Sequence, residues 1–96
     1  MSIIKVFRDY LEAYHPYLAG KDWRVDVQPL SVDDISYEEI KAFIPTEYKQ
    51  ELTCWIFFYD GGVSNVVYLF QDKKGLTNIG ICLLKDDKPV KPISFM

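Results

Sequence analysis

The sequence predicts an α+β domain ordered α-β-α-β-β-β, with two helices packed on one face of an antiparallel sheet. Three apolar segments, at 52–59, 63–70 and 76–84, are separated by the turn signals Asp60-Gly61-Gly62 and Asp72-Lys73-Lys74-Gly75, the pattern of a strand meander. Two earlier segments repeat apolar residues at helical spacing. Between those segments, 23–28 alternates apolar and polar residues as a half-buried strand does.

The first helix is read from Ile3, Val6, Phe7, Tyr10, Leu11 and Tyr14, which make one stripe, while Lys5, Arg8, Asp9 and Glu12 fall off it. Ser2 is its cap, and Pro16 disfavours helical geometry at His15, so the helix ends near Tyr14. Trp23-Arg24-Val25-Asp26-Val27-Gln28 is the first strand, with Pro29 either ending it or placing it at a sheet edge. Ser36 and Glu39 have capping-box spacing, and Ile35 with Ile40 has the spacing of a hydrophobic staple. The second helix then buries Tyr37, Ile40, Phe43 and Ile44, and Pro45 breaks it. A further helical turn is expected over 46–52.

In the meander, Cys54-Trp55-Ile56-Phe57-Phe58-Tyr59 is apolar throughout, as a central strand covered on both faces should be. The next strand sets Val66, Tyr68 and Phe70 against Asn65, Val67, Leu69 and Gln71. The third sets Ile79, Ile81 and Leu83 against Asn78, Gly80, Cys82 and Leu84. With both helices on the first face, Val67, Leu69, Cys82 and Leu84 are left as a mixed, spare face. The tail carries Pro89 and Pro92 and fits only an edge strand or an extended arm.

Ninety-six residues correspond to one domain, and the aromatic share is high at 16%. The net charge of −3 is uneven. Residues 31–62 hold seven acids (Asp33, Asp34, Glu38, Glu39, Glu47, Glu51 and Asp60) against Lys41 and Lys49. An acidic middle argues against nucleic acid, which favours a basic face. No apolar run approaches the ~18 residues of a membrane span, and charges interrupt the N-terminus where a signal peptide needs an apolar core. Cys54 and Cys82 fall in apolar strands and read as buried, reduced thiols, for which a cytoplasmic location is the simplest account.

No conventional catalytic set is present. His15 reads as a solvated or locally bonded loop residue, and pairing it with a cysteine nucleophile would need an exposed thiolate. One histidine and two separated cysteines match no zinc spacing, and Asp33-Asp34 lacks the rest of a calcium loop, so neither metal nor cofactor is expected. Lysines at 73, 74, 85, 88 and 91 read as guards of sheet edges. The segment Ile44-Pro45-Thr46-Glu47-Tyr48-Lys49 resembles a short helix-start motif of one broad bacterial immunity superfamily, but a strand follows here where that family continues its helix, so no residue role is carried over.

Small size, a concentrated acidic segment and abundant tyrosine together suggest a stoichiometric inhibitor of the immunity-protein or phage counter-defence type, not an enzyme. Its partner would be a protein with a basic surface, such as a nuclease-type toxin. The expected partner-binding residues are Asp33, Asp34, Tyr37, Glu47, Tyr48 and Glu51. One alternative is a homo-oligomeric assembly subunit that pairs through the mixed sheet face. Another is a small-molecule-binding domain with a pocket between helices and sheet.

Overall fold

The apolar stripe at the start of the chain folds as α1 (Ile3–Tyr14) and buries Phe7, Tyr10 and Leu11. The computed structural model describes residues 3–35, 37–44, 51–59 and 64–95, the side chains of Phe43 and of 91–95 aside. A 3-10 turn, Pro16–Leu18, leads to β1 (Trp23–Ser31), and a second, Val32–Asp34, leads to α2 (Glu38–Phe43). Four strands follow: β2 (Glu51–Tyr59), β3 (Asn65–Asp72), β4 (Asn78–Lys85) and β5 (Lys88–Phe95). All five strands form one antiparallel sheet whose spatial order is the chain order, so β1 and β5 are its edges. Among the described residues, no helix is long and apolar enough to cross a membrane.

The expectation that both helices share one face is corrected by the packing. Phe7, Tyr10 and Leu11 of α1 bury against Phe57, Val67, Leu69, Ile81 and Leu83. Ile40 and Ile44, at α2, bury against Leu52, Cys54, Phe70, Cys82 and Leu84. Successive strand residues point to opposite faces, so the helices lie on opposite sides and the sheet is the middle layer. The physical reason lies in register: Val67 pairs with Leu83, and Leu69 with Ile81. The four residues read as one spare face therefore divide two and two, and each pair lies beneath a helix.

A register shift at Phe70/Gln71 adds to this, because Gly80 pairs with Phe70 while Asn78 pairs with Gln71. A residue inserted in a ladder breaks the alternation of faces. Ile79 consequently joins the α2 core and Ile81 the α1 core, where simple alternation would place them together. Beside the shift, the buried Gln71 accepts a hydrogen bond from Trp55 Nε1 and donates one to Asn78 Oδ1, each at 2.6 Å. A buried amide needs both kinds of partner.

Local chemistry explains the turns. Asp72 Oδ1 accepts the N–H groups of Leu76 and Thr77 at 2.7 and 2.9 Å, and Gly75 supplies the required φ of +73°. Asp86 and Asp87, at φ 52° and 62°, link β4 to β5 as the two-residue turn that matches strand twist. Pro29 lies inside β1, where an edge strand tolerates it, so β1 runs on to Ser31 and does not stop at Gln28. The cap position of α2 is Tyr37, and the helix opens at Glu38, although Ser36 has the capping-box spacing. Ser36 lies outside the described residues, as do Pro45, Glu47, Tyr48 and Asp60-Gly61-Gly62. The helical turn expected over 46–52 is corrected at its end, since Glu51 and Leu52 begin β2 and pair with Ser31 and Leu30.

Candidate functional site

The second 3-10 turn lifts Asp33 and Asp34 off the end of β1, and both side chains are exposed. The chain then turns inward, because Ile35 and Ile40 bury in the core between α2 and the sheet. Between this turn and the sheet lies a cleft of about 160 Å3 lined by Leu30, Asp34, Ile35, Tyr37, Ile40, Tyr68 and Phe70. Its floor is apolar: Ile35, Ile40 and Phe70 are buried. Asp34 brings a carboxylate to the lining, and half-buried Tyr37 and Tyr68 bring phenol rings. Burial raises the Tyr68 phenol above its ordinary value, and the neighbouring Cys54, Tyr37 and Asp87 add to the rise. Ionisation of this phenol is thus disfavoured, and the ring faces the cleft in its neutral form.

Comparison with known protein families, curated proteins and solved structures finds no match for this chain. Its chemistry is therefore read from its own geometry.

The expected partner-binding residues are only partly gathered. Asp34 and Tyr37 meet in the cleft, with Asp33 next to them in the same turn. Glu51 is separate: alternation along β2 puts it on the face opposite Leu52 and Cys54, and Lys73 Nζ lies 3.9 Å from its carboxylate. Glu47 and Tyr48 lie outside the described residues. Tyr68 was legible only as a strand residue of the apolar face. One signal was available: a tyrosine among valines, leucines and phenylalanines usually brings its hydroxyl to a place where it can be served.

The reactive side chains are placed differently from the cleft's carboxylate. Cys54 and Cys82 are free thiols, 3% and 0% exposed, and burial pushes them up to about 12 and about 11. Cys82 Sγ donates to the Leu83 carbonyl at 3.3 Å. A thiolate is the reactive form, so both should react slowly with a thiol-directed dye in native buffer at pH 8 and rapidly in denaturant. Fast native labelling of either would show that its strand opens to solvent.

Of the two readings of His15, solvated or locally bonded, the structure has the second, with the residue only 4% exposed. Its amide donates to the Leu11 carbonyl at 2.7 Å, and its Nε2 lies 3.3 Å from the Tyr10 hydroxyl. Burial lowers its pKa from the ordinary value, favouring the neutral ring. Both cysteines and the histidine are thus held in the interior. Among the described residues, no group of three or more His, Cys, Asp or Glu side chains is placed to hold a metal ion.

Proposed function

We propose that this chain is a protein-binding inhibitor, of the immunity-protein or counter-defence kind, that occupies a basic surface of its partner and carries out no reaction of its own. The observation that carries the reading is the exposed Asp33-Asp34 pair beside the tyrosine-lined cleft. Exposed acids steer a basic partner into encounter, and tyrosines bordering a small pocket are what protein interfaces favour at their centre. The interior placement of Cys54, Cys82 and His15 supports the non-enzymatic part, because a nucleophile or base must reach its substrate.

Observations disfavour both alternatives. The sheet face expected to pair two copies holds Val67, Leu69, Cys82 and Leu84, all 3% exposed or less. Edge-to-edge pairing through β1 is obstructed as well. Asp26 Oδ1 takes the Val27 N–H at 2.9 Å, and the Lys21 carbonyl takes the Trp23 N–H at 3.0 Å. Both belong to the alternating set of amides on the open edge, and the next member, Pro29, has no N–H. For a small molecule, this cleft among the described residues, at about 160 Å3, falls below the usual pocket, which holds about 300–1,000 Å3.

The test is association kinetics against the protein that co-purifies with the tagged chain. Asp33→Lys with Asp34→Lys should slow association by about tenfold or more at low salt. The difference should shrink above about 0.1 M salt, where exposed charges are screened within about 10 Å. Glu51→Lys, on the other face and beside Lys73, should change the rate less. Equal rates for the double variant and the wild type at low salt would sink the proposal.

A further inference from the structure

We infer that the cleft between β1, α2 and β3 receives one arginine side chain of the basic partner. This rests on the reading of the chain as a binder of a basic protein, and it names the group recognised. The cleft, at about 160 Å3, has room for a side chain. Its lining supplies what a guanidinium uses: the Asp34 carboxylate, two phenol rings from Tyr37 and Tyr68, and an apolar floor of Ile35, Ile40 and Phe70.

A guanidinium is planar and weakly hydrated, stacks on aromatic rings and pairs with a carboxylate through two parallel hydrogen bonds. Its aliphatic stem can lie along apolar side chains while the charged head meets the acid. Lysine offers a compact, strongly hydrated charge that matches the rings and the carboxylate less well. A free amino acid fits poorly for another reason. Among the described residues, no lysine or arginine lines the cleft to hold its α-carboxylate, and Asp33 and Asp34 repel it. An arginine within a chain has no such carboxylate.

Neighbouring structure keeps the cleft in shape without its occupant. Leu30 pairs with Leu52 across the β1–β2 ladder, and Tyr68 pairs with both Ile56 and Cys82 inside the sheet. Ile35, directly after Asp34, and Ile40, three residues after Tyr37, are both buried in the core. The occupant therefore meets a largely formed site, which reduces the ordering that binding requires.

The probe is the capped peptide acetyl-Gly-Arg-Gly-amide, titrated into 15N-labelled full-length protein and followed by backbone NMR shifts. Saturable shifts centred on Leu30, Asp34, Tyr37 and Tyr68 are expected in the millimolar range. Asp34→Asn, an exposed and near-isosteric change, should weaken them by at least about tenfold. The citrulline peptide, which keeps the shape and loses the charge, should give no saturable shift, and free arginine should bind more weakly than the capped peptide. Equal binding of the lysine peptide would overturn the arginine assignment. Shifts spread over Asp9, Asp22 and Asp26 and insensitive to Asp34→Asn would overturn the cleft itself. Those results would leave the inhibitor reading standing, because it is judged by the association rate of the Asp33/Asp34 variant with the whole partner.

Discussion

Phe57→Ala should destabilise the protein by about 3–5 kcal/mol, the usual range for removing a buried phenylalanine. Phe57 is 1% exposed and lies flat on Phe7 of α1, with ring centroids 3.9 Å apart and planes 3° from parallel. Phe7 in turn meets Trp23 edge-on at 5.0 Å, and Trp23 meets Tyr59 edge-on at 4.7 Å. The Trp23 indole N–H donates to the Leu18 carbonyl at 2.7 Å, which ties the loop after α1 into the same group. Truncation would open a cavity between helix and sheet at a point where α1, β1 and β2 all meet. Domains of this kind hold about 5–15 kcal/mol in total, so much of the population could unfold. Urea melts should show a midpoint lowered by about 2 M, taking a slope of about 2 kcal/mol per molar. Val25 pairs directly with Phe57 across the ladder yet is 41% exposed. Val25→Ala is the internal control and should change stability by no more than about 0.5 kcal/mol. Equal effects at the two positions would mean that α1 does not dock on this face.

The contrast between these two paired residues also marks what the sequence can and cannot convey. Period-two alternation places Val25 in a strand, but it does not say that α1 stops short of covering it. The stripe from Ile3 to Tyr14 was legible because a helix repeats the same contact every turn. The strands of the meander were legible because Asp60-Gly61-Gly62 and Asp72-Lys73-Lys74-Gly75 punctuate them. Assignment of faces was not legible. It depends on which residue of β3 opposes which residue of β4, and one inserted residue near Phe70/Gln71 puts Ile79 on the side opposite Ile81. A sheet with both helices on one face would leave the other bare, which is what an oligomer through that face requires.

The site was legible to a similar depth. Asp33, Asp34 and Tyr37 are close in sequence and stay close in space. Tyr68 and Leu30 join them only through the pairing of β1, β2 and β3, which places distant segments side by side. Glu51 shared the acidic composition of its segment, but its position on β2 sends it to the far face beside Lys73. Charge counted along a chain does not distinguish the two faces of a sheet.

Tyr10→Phe should cost about 1–3 kcal/mol, because it removes only an oxygen yet leaves a buried donor unserved. The β4–β5 ladder shifts register between Ile81 and Leu83, and the Leu83 N–H there donates to the Tyr10 hydroxyl at 3.0 Å. Burial pushes this phenol up to about 12, so it remains protonated across the ordinary pH range. The same hydroxyl stands 3.3 Å from His15 Nε2, so one side chain joins α1, the loop after it and the irregular stretch of β4. The histidine adds a pH dependence whose sign is set by its burial. Its folded pKa is lowered from the ordinary 6.5, so the unfolded chain takes up the proton first as pH falls. The contribution is whole above 6.5 and is lost progressively from there down toward the folded value. Wild-type melts between about pH 7.5 and 5.5, above the range where carboxylates begin to titrate, should therefore show stability falling with pH. His15→Gln, which keeps hydrogen-bonding capacity without a titrating ring, should flatten that slope even though it lowers stability overall. Tyr10→Phe should keep most of the slope, since burial of the ring and not the phenol is its cause, while lowering stability at every pH. A slope unchanged in His15→Gln would assign the pH dependence to other groups, and an unchanged midpoint in Tyr10→Phe would mean that the Leu83 amide finds another partner.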